Sequence, residues 1–160
     1  MWKKLIAVIG GLVFLAAGPV AAQGAAASPA PPYDAALAKS LGADDMGMHK
    51  YVLVILKTGP HRMPDGEARN KMFEGHMANI RRLAGEKKLV LAGPLDGADG
   101  WRGLFVLATP DIAEAKKLVA TDPTIISGEL VAEYHEFYGS AGLMMLNEIH
   151  SKIERKPAGG

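Results

Sequence analysis

Two short runs restrict the architecture of this chain more than any other feature. YVLVIL (Tyr51–Leu56) and GLFVLA (Gly103–Ala108) are apolar at successive positions instead of at every second one. The first is rich in β-formers and is followed by the turn-prone TGPHRMPDG; the second comes after DGADG. Both read as strands. Successive strand residues point to opposite faces, so a run that is apolar throughout needs cover on both sides and belongs in the middle of a sheet.

The segments between and around these runs supply the rest of a sheet and its helices. Glu67 to about Lys87 has helical periodicity, with Phe73, Met77, Ile80 and Ala84 in one stripe, Met72 and Leu83 beside it, and Glu74, Arg81 and Arg82 opposite. LVLAG (Leu89–Gly93) is a strand with Pro94 at its end. Thr109-Pro110-Asp111 is a helix start, with Thr109 as the cap, a proline in the first turn and an acidic residue near it, and the helix it opens is expected to run to about Asp122, where Pro123 stops it. ELVAEYHEFY (Glu129–Tyr138) is a fourth strand, and Gly142–Arg155 an amphipathic terminal helix. The order β-α-β-β-α-β plus one helix is that of a ferredoxin-like α+β fold. Right-handed crossovers then place both internal helices on one sheet face. The other face must meet the terminal helix or a second copy of the sheet, and a homodimer packed sheet against sheet is the arrangement expected.

The ends differ from this middle. Lys3 and Lys4 precede LIAVIGGLVFLAA and then GPVAAQ, the pattern of a secretory signal peptide, with cleavage expected after Ala22. The apolar run is shorter than the ~20 residues a spanning helix needs. The mature protein is therefore expected to be periplasmic or secreted, meeting the membrane only through its leader. Residues 23–47 read as a flexible linker with a short helix near Asp34–Leu41, and residues 139–160 as the C-terminal helix and a loose tail. Removing Met1–Ala22 takes away two lysines and no acid, so the formal charge falls from +1 to −1. A near-neutral domain without a basic stripe offers no footprint for nucleic acid. The absence of cysteine excludes disulfides, thiolate catalysis and Cys-based zinc sites.

Two residues fit their elements badly. His76 falls among the apolar positions of the first long helix, either as a packed histidine bonded to backbone carbonyls or as a functional one. Asp122, at the expected end of the second helix, would face the negative end of the helix dipole, which costs roughly 0.3–1 kcal/mol if exposed; alternatively it begins the Asp-Pro turn. Because both helices lie on one sheet face, the two side chains can converge. A His–Asp pair is a compact acid/base unit, in which the carboxylate fixes the imidazole tautomer and the free nitrogen moves a proton near neutral pH. Ser127 and Ser140 have no nucleophile motif around them, so proton transfer is favoured over acyl-enzyme chemistry.

The stretches HMANIRRLAGEKKLVLAGPLDG and RGLFVLATPDIAEAKKLVATDPTIISGELVAEYHEF resemble the YCII-related (YciI-like) family. The matching features are His76, Gly93-Pro94, Asp122-Pro123 and Gly128, over about Met48 to Tyr138. The resemblance implies a dimeric α+β barrel of ferredoxin-like protomers and an active site on His76 and Asp122. Most members of that family look like enzymes of unassigned reaction, while a related branch removes chloride from a hydroxylated aromatic ring and similar barrels isomerise lactones or oxidise small ring compounds. Together with the His–Asp pair this gives the expectation of proton transfer without a cofactor on a small cyclic or carbonyl substrate, of lyase, isomerase or dehydrochlorinase type. Gly93 and Pro94 would shape the pocket by close backbone approach or simply end the strand in a turn, and Asp96 and Arg102, flanking the hairpin, would meet a substrate anion or acid proton or stay solvated loop charges. Two other readings remain open. One is a small-ligand-binding or scaffolding dimer without turnover. The other is copper binding in the exported protein through Met46, Met48 and His49 with His61 and Met63, since thioether and imidazole suit Cu(I). His135 and His150 are expected to have surface or packing roles.

Overall fold

The structure, a computed structural model, describes residues 31–156. The expected leader, residues 23–30 and the last four residues of the tail lie outside them. Four strands form one antiparallel sheet: β1 (Met48–Thr58), β2 (Leu89–Pro94), β3 (Trp101–Leu107) and β4 (Leu130–Ser140), in the order β2-β3-β1-β4. The helices are α1 (Ala35–Ser40), α2 (Glu67–Gly85), α3 (Ile112–Val119), α4 (Pro123–Ile126) and α5 (Leu146–Ile153). The two strands with continuous apolar runs, β1 and β3, are the central pair, and the fold is ferredoxin-like α+β.

Strand alternation divides the core between the two faces. Val52, Val54 and Leu56 of β1 and Phe105 and Leu107 of β3 pack against Leu83 of α2 and Ala115 and Val119 of α3. Both crossover helices therefore lie on one face. Burying such a side chain fully contributes roughly 1.5–3 kcal/mol, so packing holds these layers without any cross-link. On the other face Tyr51, Val90 and Val106 form a second cluster with Leu143 and Met144, which come from a 3-10 turn, Ala141–Met145. The terminal helix expected over Gly142–Arg155 is thus this turn followed by α5. Asn147 of α5 donates from Nδ2 to the Leu89 carbonyl, 2.7 Å away, and so anchors the helix to β2.

Two helix boundaries differ from expectation, and each has a local cause. The cap of α3 is Asp111, whose carboxylate accepts from the Ala113 N–H at 2.7 Å; Thr109 instead accepts from the Asp111 N–H and donates to Glu114. At the other end α3 stops at Val119 instead of reaching Asp122. A residue before proline is disfavoured in the α region, and Asp122 is extended at φ −80°, ψ 126°. It caps the N-terminus of α4, with Pro123 in the first helical position. The dipole argument therefore changes sign: the carboxylate sits at the favourable end of a new helix, not at the unfavourable end of α3.

The start of β4 is held to the chain beyond β1 by a glycine crossing. Gly59 donates to the Glu129 carbonyl and His61 to that of Gly128, at 2.8 and 3.1 Å. A Cβ at Gly59 would lie 2.1 Å from the Gly128 carbonyl oxygen. Gly128 has φ +76°, and a Cβ there would lie 2.8 Å from His61 Nδ1. This crossing, adjoining the β1–α2 loop, places the loop beside the first turn of α2.

Candidate active site

The inner face of α2 is turned one position from the stripe read in the sequence. Met72, Asn79 and Leu83 are buried and His76 is nearly so, whereas Phe73, Met77, Ile80 and Ala84 are half-buried. The row 72, 76, 79, 83 keeps helical spacing, and two of its four members are polar. They are tolerated because they face α4 and a buried carboxylate that needs donors.

That carboxylate is Asp122, whose side chain is wholly inaccessible to solvent. Its Oδ2 lies 2.7 Å from His76 Nδ1 and accepts a longer bond, 3.4 Å, from Asn79 Nδ2. Its Oδ1 accepts from the Thr124 N–H at 2.9 Å and the Thr124 hydroxyl at 2.7 Å. Close approach of the two helices depends on Gly75, where a Cβ would lie 3.0 Å from Pro123 Cγ. Gly75-His76 on α2 and Asp122-Pro123 at α4 thus meet as adjoining pairs, one of small contacts and one of polar ones.

Burial alone pushes the Asp122 carboxyl up. The hydrogen bond and charge of His76, with the two bonds from Thr124, outweigh that and hold it below the ordinary carboxylate range. An ionised carboxylate only accepts, so Nδ1 of His76 must carry the shared proton. In the neutral ring Nε2 then holds the lone pair. Nε2 makes no hydrogen bond to a described residue, and the His76 side chain keeps 13% of its surface accessible, whereas that of Asp122 keeps none. The ring is held edge-on by Phe73, centroids 6.2 Å apart, and lies nearly parallel to Phe105 at 6.0 Å. Chemically, the arrangement gives one atom able to take or give a proton, Nε2. Asp122 is saturated and enclosed, so it orients the ring and is not itself exposed.

Above Phe73 lies the Arg69 guanidinium, 4.9 Å from the ring centroid. It is tied to the buried Glu129 carboxylate through Nη2 at 2.6 Å and Nε at 3.2 Å. The second oxygen of Glu129 accepts the Met63 N–H at 2.7 Å, so the β1–α2 loop is pinned beside the site. The Arg69 hydrogen bond holds Glu129 below its usual range despite the opposing effect of burial.

The other residues singled out in the sequence do not converge on this pair. Gly93 and Pro94 lie on edge strand β2 opposite Leu104 and Gly103. A Cβ at Gly93 would meet nothing within 4 Å; the close backbone approach is at Gly103, where a Cβ would lie 3.0 Å from the Gly93 carbonyl oxygen. Asp96 accepts from the Ala98 N–H in a local turn, and Arg102 sits at a register shift where its carbonyl accepts from Leu95. The copper candidates divide between the two ends of β1: Met48 and His49 begin the strand, and His61 and Met63 follow it. An extended strand of that length separates them by roughly 30 Å within one protomer. Among the described residues no group of three His, Asp or Glu is arranged to hold a metal ion. A separate cleft of about 530 Å³, bordered by Lys50, Glu136, Tyr138 and Pro110, includes neither His76 nor Asp122.

Asn79, Arg82, Thr124 and Gly75 were not singled out as site residues. Their signal is weak but physical: His76, Asn79 and Arg82 recur every third position along one side of a helix, and Asp122-Pro-Thr124 is a capping sequence. Arg82, assigned to the outer face by periodicity, reaches back to Asn79 with its long side chain.

Residues 50–137, just over half of the chain, match the family model described as YCII-related domain. No curated protein matches the chain.

Proposed function

Because this chain belongs to the YCII-related family, we propose that it is a small-molecule-processing protein in which His76 Nε2 moves a proton on a small cyclic or carbonyl substrate. The reaction is of lyase, isomerase or dehydrochlorinase type and draws on no cofactor. The observation that carries this reading is the 2.7 Å bond from His76 Nδ1 to a carboxylate saturated by Thr124 and Asn79, with Nε2 left open. Asp122 holds the tautomer and stabilises the imidazolium formed when Nε2 takes a proton. Phe105 and Phe73 keep the ring plane fixed, so Nε2 meets each substrate from one direction.

Export and self-association belong to the same reading. Lys3 and Lys4 ahead of an apolar stretch ending in small residues support a leader and a periplasmic or secreted location. The apolar positions on the sheet face opposite α2 and α3 support a homodimer.

The test is proton exchange in deuterated water. Cyclic ketones, unsaturated lactones and hydroxylated chloroarenes are incubated with the mature protein, and deuterium incorporation or chloride release is followed by NMR and ion measurement. The expected outcome is turnover of at least one class that falls 10²–10⁴-fold in His76→Gln. A substrate processed equally well by His76→Gln would end the acid/base assignment. A protein that binds such a compound without exchanging or converting it would favour the binding-module alternative.

A further inference from the structure

Below the pair, α2 carries a line of hydrogen bonds that leads from the buried carboxylate to the surface. Asn79, almost wholly buried, donates to Asp122 over 3.4 Å, a distance too long to anchor the amide by itself. Its other end is held more tightly. Oδ1 lies 2.8 Å from Arg82 Nη2 and 3.0 Å from the Thr121 hydroxyl. Arg82 in turn donates from Nη2 to Thr121 Oγ1 at 3.0 Å and from Nη1 to Glu86 at 2.9 Å.

These partners are not equivalent. The Thr121 hydroxyl can donate or accept, and it also has the Leu118 carbonyl at 2.7 Å as an outlet for its proton. It therefore suits either end of an amide. A guanidinium only donates. Facing Arg82, Asn79 must present its oxygen, which turns its NH₂ group toward Asp122. The short, charge-assisted bond sits at the Arg82 end and the long one at the carboxylate end.

We propose that Arg82 is a positioning residue for the His–Asp pair. It acts through Asn79, whose amide, held in the orientation that donates to Asp122 Oδ2, keeps that oxygen seated at His76 Nδ1; from a site on the helix surface Arg82 thus favours the Nδ1–H form through the position of the carboxylate. The inference rests on the acid/base reading of His76 and Asp122 and extends it to two residues that touch no substrate.

The experiment uses the mature chain with ¹⁵N-labelled histidine, the His76 signals being assigned by their loss in His76→Gln. The imidazole nitrogens report the ratio of the two neutral tautomers directly. In the wild type the Nδ1–H form is expected to dominate. Arg82→Met keeps the aliphatic stem and removes the donors, and the minor Nε2–H form is expected to grow about fivefold, the size of one lost hydrogen bond. Arg82→Lys, which keeps a cationic donor on a similar stem, is expected to stay near the wild-type ratio, a distinction that a packing role would not make. Asn79→Leu should shift the ratio as Arg82→Met does, and the double variant should go no further, because both act on one path. If folded Arg82→Met keeps the wild-type ratio, or if the two changes add, the relay is overturned while the pair stands. A wild-type ring protonated mainly on Nε2 would overturn the pair itself.

Discussion

Asp122 combines complete burial with four donors, and its substitution separates the structural and chemical parts of the site. Asp122→Ala leaves the Thr124 N–H, the Asn79 amide and an imidazole N–H without an acceptor in an enclosed place. Breaking a buried pair in this way costs about 3–5 kcal/mol, read as a lower urea midpoint. Thr124→Val keeps the shape and removes one donor, and a loss of about 1–2 kcal/mol is expected from the same measurement. Acid should expose the same group. Its folded pKa is depressed, so its contribution is complete above the unfolded value, about 4, and is lost as pH falls through the folded value. Asp122→Asn should therefore flatten the fall in stability below about pH 4 relative to the wild type, followed as the thermal midpoint against pH. The pair itself was legible because a polar residue within an apolar row stands out. Asn79 was not, since an asparagine inside a helix has no characteristic partner until a carboxylate is found opposite it.

Elements were legible where periodicity is strong and less so where one residue overrides it. The central strands followed directly from their continuous apolar runs. That this helix gives way at Pro123 followed as well, but its end at Val119 and the short α4 capped by Asp122 did not, because Lys117-Leu118-Val119-Ala120 continues a helical pattern while the proline two residues after Thr121 holds Asp122 out of it. That override creates the site, as an unbroken α3 would carry Asp122 at its C-terminus with no Thr124 cap. The Gly59–Gly128 crossing was equally hidden, since it depends on a chain segment 69 positions away. Its φ of +76° and its contact with His61 make Gly128→Ala costly, roughly 1–2 kcal/mol from the backbone alone. Because Glu129 is the next residue and holds both Arg69 and the β1–α2 loop, that variant is also expected to loosen the loop. Amide hydrogen exchange should show faster exchange at Met63, whose N–H the Glu129 carboxylate accepts, with protection in β3 unchanged.

At the scale of the whole molecule the two sheet faces are covered unequally. Two crossover helices lie over one. The other has the Leu143–Met144 turn and α5 near Tyr51 and Val90, while Leu53 and Leu104 remain half-buried and Leu91, Trp101 and Val131 are exposed. Beside them Glu133 bonds both Lys57, at 3.3 Å, and His135, at 2.8 Å, so the carboxylate and the lysine of this patch are already paired with each other. Apolar positions with internally paired charges suit a self-complementary contact, in which the same patch meets its two-fold copy and no like charges are forced together. A sheet-on-sheet dimer would bring Leu53 and Leu104 of each protomer into the shared layer, where a charged side chain has no partner. Leu104→Glu is accordingly expected to convert a dimer to a monomer in sedimentation velocity. The layer containing His76 lies on the opposite face, so the ¹⁵N signature of its imidazole should survive the change. A wild-type protein that sediments as a monomer at tens of micromolar would remove the dimer from the proposal, and a dimer unaffected by Leu104→Glu would move the contact to another surface.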